Sequence, residues 1–118
     1  MLEELLRLSN LYDFYGALLT DKQQQCFRMH LFEDLSLSEI GEALGISRQA
    51  VYDLLHRGEQ SMEGYENKLG LVARHQKEHD GLRELYKSIA GLKTTANAAA
   101  VDDVLKRLAG FLHNDREV

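Results

Sequence analysis

The sequence predicts an all-α fold, with a helical domain built round a helix-turn-helix and followed by further C-terminal helices. Three observations carry this expectation. The 118 residues include no Pro, whereas all-β domains use Pro at turns and edges and long loops collect it. Apolar residues recur at intervals of three and four, the period of a helix with one buried face. The gaps between these stretches are short and hold Ser, Thr or Gly, the residues that end helices.

Taken in order, Leu2, Leu5, Leu8, Leu11/Tyr12, Tyr15 and Leu18/Leu19 mark a first helix ending near Leu19. Thr20 reads as the next N-cap, with Asp21 well placed for the helix dipole. The second helix turns Cys26, Phe27, His30 and Leu31 inward and ends near Glu33. Ser36-Leu37-Ser38-Glu39 is a capping box, in which each side chain satisfies the other residue's free amide. Gly45 sits where a left-handed turn would stop the short helix, and Ser47 caps the next from Arg48 onward. Beyond Gly58 the period continues through Met62, Tyr65, Leu69 and Val72. It is compatible with one long helix or with a break at Gly58 or Gly64. A further helix is expected over Leu82–Leu92, with Leu82, Leu85/Tyr86 and Ile89 inward. Thr94-Thr95-Ala96-Asn97 reads as a loop with an N-cap, and the last helix carries Val101, Val104/Leu105, Leu108 and Leu112 on one face.

The domain boundaries that follow are 1–59 for the helix-turn-helix domain, with the motif at 36–57, and 60–113 for a helical extension. The extension is expected to pack on the first part or to dimerise. Residues 114–118 read as a frayed tail. A chain of this length supports a single core without staples. One Cys, Cys26, excludes an internal disulfide framework and points to a cytoplasmic setting. The acidic start, Met1-Leu2-Glu3-Glu4, does not read as a signal peptide. No apolar run approaches the roughly 18 residues a membrane span needs.

The segment Ser36–Arg57, SLSEIGEALGISRQAVYDLLHR, meets the demands of a helix-turn-helix. The two helices cross closely, so the first needs a small residue at its middle, and Gly41 supplies it. The turn needs a residue that tolerates positive φ, and Gly45 supplies that. Ile46 pins the turn to the core. Ile40 and Leu44 face inward from the first helix, and Val51, Leu54 and Leu55 from the second.

On these residues the stretch from about Thr20 to Glu59 resembles the fourth region of bacterial sigma factors, the part that reads promoter DNA. In length and order of elements the whole chain resembles the YlxM family of small bacterial proteins. That resemblance implies a sigma-like helix-turn-helix, an all-helical C-terminal part and a role in the signal recognition particle pathway of protein targeting.

In sigma-type readers the exposed start of the recognition helix touches base edges. Here that face is Ser47, Arg48, Gln49, Tyr52 and Asp53, with His56 and Arg57 one turn on. Arg48 suits guanine and Gln49 suits adenine. The chain departs from the sigma pattern where Ala50 and Tyr52 replace a frequent Arg and Asp53 a frequent Gln. Lys22 and Arg28 are further phosphate candidates, and helix N-termini at Ser36 and Ser47 add backbone donors.

Charge limits this reading. The formal net charge is -5, from 14 basic and 19 acidic residues. Residues 36–59 hold Arg48 and Arg57 against Glu39, Glu42, Asp53 and Glu59, a net of -2. Bulk phosphate binding is therefore excluded, and any DNA contact must come from a small local face, doubled in a homodimer. The same charge supports a basic protein partner. Three functions follow: a DNA-binding regulator; an interaction factor of the targeting particle, bound to its protein or RNA, with the helix-turn-helix kept as a scaffold; or a plain structural or oligomerisation module that binds no nucleic acid. No catalytic motif, phosphate loop or cofactor signature is present, so the sequence does not predict an enzyme or a cofactor. His75 and His79 are four apart but lack a third ligand or an HExxH pattern, so no metal site is expected. Cys26 lies on an apolar face and reads as core.

Overall fold

A computed structural model describes residues 2–114, which form six α-helices and no strand. The helices are α1 (Leu2–Tyr15), α2 (Asp21–Leu31), α3 (Leu37–Leu44), α4 (Arg48–Leu69), α5 (Leu71–Ala90) and α6 (Ala98–Asn114). They divide into two compact units, one ending at Val72 and one beginning at Ala73. The division falls just inside α5, and α4 runs unbroken through residue 59.

In the first unit every helix end has a local cause. The α-helix of α1 closes at Tyr15, and the chain tightens into a single 3-10 turn, Gly16–Leu18, before Leu19 turns it outward. A Cβ on Gly16 would lie 2.7 Å from the Tyr12 ring, so a larger residue at the start of that turn would have to push the ring aside. Thr20 caps α2 as expected, and its reciprocal partner is Gln23. Thr20 Oγ1 accepts from the Gln23 amide at 3.2 Å, and Gln23 Oε1 accepts from the Thr20 amide at 3.0 Å. The helix stops at Leu31, two residues before the expected Glu33. Asp34 takes the left-handed conformation at φ 57°, and the Leu35 amide donates to the Met29 carbonyl at 3.1 Å. Asp enters that region more easily than most residues, which is why the stop needs no Gly.

The capping box of α3 is formed, with the Glu39 amide donating to Ser36 Oγ at 3.1 Å and the Ser36 amide to Glu39 Oε1 at 2.8 Å. Gly45 ends α3 at φ 71°. Ser47 caps α4, its Oγ accepting from the Ala50 amide at 3.0 Å.

The open question about the middle of the chain is answered by α4, a single helix of 22 residues that holds both Gly58 and Gly64 and ends at Gly70 with φ 63°. Its buried face is Val51, Leu55, Gly58, Met62 and Glu66. Gly58 does not weaken the helix into a break because the Phe27 ring occupies the place its side chain would take. The helices α1, α2 and α3 all pack on α4, round a core of Leu11, Tyr15, Cys26, Phe27, Ile40, Val51 and Met62. Tyr12 stacks on Phe27 with centroids 5.6 Å apart. The first helix is less buried than its periodicity suggests. Leu2, Leu5 and Leu6 are exposed, and only Leu11 and Tyr15 are fully covered. Of the four residues expected inward from α2, Cys26 and Phe27 are buried, while His30 and Leu31 are half-buried.

Helix α5 begins at Leu71, eleven residues before the expected Leu82. The loop before α6 is closed by Asn97. Its Oδ1 accepts from the Thr94 amide at 2.6 Å, and its Nδ2 donates to the Leu92 carbonyl at 3.0 Å. Val101 is buried, whereas Leu85, Leu92, Val104 and Phe111 are exposed. Tyr86 rather than Leu85, and Leu105 rather than Val104, are the half-buried members of the expected pairs. An open apolar groove of about 370 Å³ is lined by Arg83, Tyr86, Lys87, Ala109 and Leu112. The frayed tail expected for the end of the chain lies, from residue 115 on, outside the described residues.

Candidate nucleic-acid interface

The helix-turn-helix depends on one close approach. A Cβ on Gly41 would stand 2.7 Å from the Ile46 carbonyl oxygen, so only glycine lets the turn fold back on α3. The Ile46 amide donates to the Gly41 carbonyl at 2.9 Å, sealing the end of α3. Behind the turn, Ile40 and Val51 are fully buried, with Ile46, Leu44 and Leu54 packed against the same core. The start of α4 is thereby held outward, its first amides unpaired within the helix except where Ser47 reaches them.

Ser47, Arg48, Gln49, Tyr52, Asp53, His56 and Arg57 are all exposed, and the structure brings these seven together on the cap and first three turns of α4. They form two stripes at helical spacing. Gln49, Asp53 and Arg57 make one; Arg48, Tyr52 and His56 make the other. In the first, Gln49 Nε2 donates to Asp53 Oδ1 at 3.1 Å, so the carboxylate engages one donor of the amide expected to read adenine. In the second, the Tyr52 and His56 rings stack with centroids 5.7 Å apart and planes 7° from parallel. Arg48 and Arg57 enter no salt bridge or side-chain hydrogen bond among the described residues, so both guanidinium groups are available. Lys22 and Arg28 are exposed on α2, away from these two stripes in sequence, and Arg28 is likewise unpaired.

The second stripe does more than face solvent. Tyr52, His56 and, one turn on, Glu59 form one wall of an open groove of about 270 Å³, whose other lining residues are Leu8, His30, Leu37 and Leu55. His30 Nδ1 is buried with no hydrogen-bond partner among the described residues. This groove has no motif, because its residues come from four helices. Its one trace in the sequence is the spacing of Tyr52, Leu55, His56 and Glu59 along a single face.

Cys26 is buried, and burial pushes its thiol up from the ordinary range while Lys22 pulls weakly the other way. The His75 and His79 rings lie 6.3 Å apart on α5, and among the described residues no cluster of three metal-ligating side chains exists. No described helix is long and apolar enough to cross a membrane.

Residues 2–104 match the sequence model of a family described as UPF0122, "Putative helix-turn-helix protein, YlxM / p13 like". This chain belongs to the UPF0122 family. A UPF0122 protein of Thermoanaerobacter sp. (strain X514) is 45% identical over 107 residues, covering 91% of this chain and 92% of its own. One from Caldanaerobacter subterraneus is 53% identical over 93 residues, covering 79% and 74%. One from Halalkalibacterium halodurans is 39% identical over 108 residues, covering 92% and 99%. The UPF0122 match takes in the whole helix-turn-helix and α5, and extends into α6.

Proposed function

We propose that this protein is a DNA-binding regulator that presents the first turns of α4 to a major groove and works as a homodimer. The observation that supports it most is the start of α4. A fully capped helix-turn-helix holds Arg48 and Gln49 outward beside free backbone amides, the arrangement that meets base edges and phosphates together. Arg57, Lys22 and Arg28 supply further cations. That surface is small, and a second copy doubles it. The dimer is supported by the second unit, which leaves Leu85, Val104 and Phe111 exposed on two helices and Leu92 exposed in the turn between them. A pair of helices with so little buried does not stabilise itself, and association covers such faces. The reading takes the protein as cytoplasmic and not an enzyme.

The test is binding to a selected duplex by anisotropy. Arg48→Ala and Gln49→Ala should each cost about 1–3 kcal/mol for a bidentate base contact, with the circular dichroism spectrum intact. Unchanged binding in both variants overturns the reading. Light scattering of the wild type reports the dimer separately.

A second reading has its own support. Residues 1–72 hold 6 basic and 12 acidic residues, a net of -6, around the very motif that would touch DNA. On this reading the helix-turn-helix is a scaffold, and the acidic unit meets a basic protein of the signal recognition particle, or the particle through its RNA. A pull-down in mild salt that recovers neither the particle's protein nor its RNA counts against it.

A further inference from the structure

We infer that the groove between Leu8, Leu37 and the Tyr52–Glu59 face of α4 is a docking site for a cationic amphipathic helix of a protein partner. Three observations lead there. The lining is apolar at its sides, with Leu8, Leu37, Leu55 and the stacked Tyr52 and His56 rings, so it suits an aliphatic side chain from a helix laid across it. The apolar character continues along α1, where Leu5 and Leu2 are exposed one and two turns before Leu8. Glu59 lines the groove itself, and it does so in a unit whose residues 1–72 carry a net charge of -6. Glu59 has no ion pair among the described residues.

Charge decides among occupants. An acidic helix or a nucleic-acid backbone meets the unpaired Glu59 and a unit of net charge -6, whereas Lys or Arg flanking an apolar ridge pairs with the carboxylate and is drawn by that charge. The occupant covers Tyr52 and His56, so the same side chains cannot be presented to DNA while it is bound. The inference shares a basic partner with the second reading above, but needs neither the targeting particle nor DNA binding.

The probe is an 18-residue Leu/Lys peptide with one apolar stripe, compared with a shuffled peptide of the same composition, in titrations followed by heteronuclear NMR at physiological salt. The striped peptide should bind at least about tenfold more tightly than the shuffled one, the worth of one desolvated aliphatic side chain. The perturbed signals should centre on Leu8, His30, Leu37, Tyr52 and His56. Glu59→Lys should weaken binding severalfold. Glu78→Lys, which makes the same change of net charge on exposed α5, should leave it within about twofold. Leu37→Ser should weaken it further, with circular dichroism as the check on folding. Equal binding of both peptides, equal effects of Glu59→Lys and Glu78→Lys, or perturbations spread over the acidic surface each overturn the inference. Those failures leave the DNA and particle readings untouched, and a failed particle pull-down leaves this one untouched.

Discussion

The Tyr15 hydroxyl donates to Glu66 Oε1 at 2.5 Å, deep between the end of α1 and the end of α4. Both residues are buried. The pair also closes the start of α5. The Leu71 amide donates to the Tyr15 hydroxyl at 3.2 Å, and the Val72 amide to the same Glu66 oxygen at 3.0 Å. Two of the amides that every helix leaves unpaired at its N-terminus are thus satisfied by side chains from elsewhere in the first unit. Tyr15→Phe removes one donor and one acceptor together and leaves a buried carboxylate and an amide short of a partner. It should lower stability by about 1–3 kcal/mol, read as a fall in the urea midpoint with an unchanged slope.

The same pair gives a pH dependence. Burial first, and then the hydrogen bond to Glu66, raise the Tyr15 hydroxyl above its ordinary value, with the Leu71 amide opposing. The folded protein therefore holds this proton more tightly than the unfolded chain. The stabilisation is complete below the unfolded value of about 10 and is lost as pH rises through the raised folded value. Stability should fall on the alkaline side, with the loss much reduced in Tyr15→Phe. Urea melts at several pH values between neutral and strongly alkaline would show it, and parallel alkaline curves for the two proteins would contradict it.

Two glycines should respond with opposite signs. Gly41→Ala places a methyl 2.7 Å from the Ile46 carbonyl, and prying α3 from the turn should cost about 1–3 kcal/mol. Gly64 is interior to α4 with nothing within 4 Å of its Cβ position, so Gly64→Ala should gain about 0.5–1 kcal/mol from helix propensity. Thermal melts of the two variants check both at once.

Cys26 should be inert in the native state. It is fully buried and its thiol is pushed up by burial, so both access and thiolate content are low. Modification by a disulfide reagent should be at least about a thousandfold slower than in urea, the scale of the folding equilibrium. Fast labelling of the native protein would place the thiol at the surface.

Arginine contacts to DNA predict a salt signature too. Each phosphate neutralised adds about 0.9 to the slope of log affinity against log salt. With Arg48, Arg57, Lys22 and Arg28 as the available cations, the slope per subunit should be no steeper than about 4. Arg57→Ala should reduce it by about one unit. A steeper slope would require cations outside this face.

Most helix boundaries in the first unit are legible in short stretches of sequence. Thr20, Ser36, Gly45 and Ser47 act on backbone groups two to four residues away, so their chemistry is legible in a short window. The seven residues at the start of α4 were legible for the same reason, since one helix carries them all. The tertiary structure alone decided the rest. The period left open whether the helix breaks at Gly58, and packing makes Gly58 the contact point for Phe27. Glu66 sits in an apolar stripe of α4 and is buried because Tyr15, 51 residues earlier, meets it. Leu85 and Val104 followed the helical period and still face solvent. The groove under Tyr52 and His56 draws on four helices, so no window of sequence contains it. Periodicity says which face of a helix is apolar. Only the packing of other helices says how much of that face is covered, and by what.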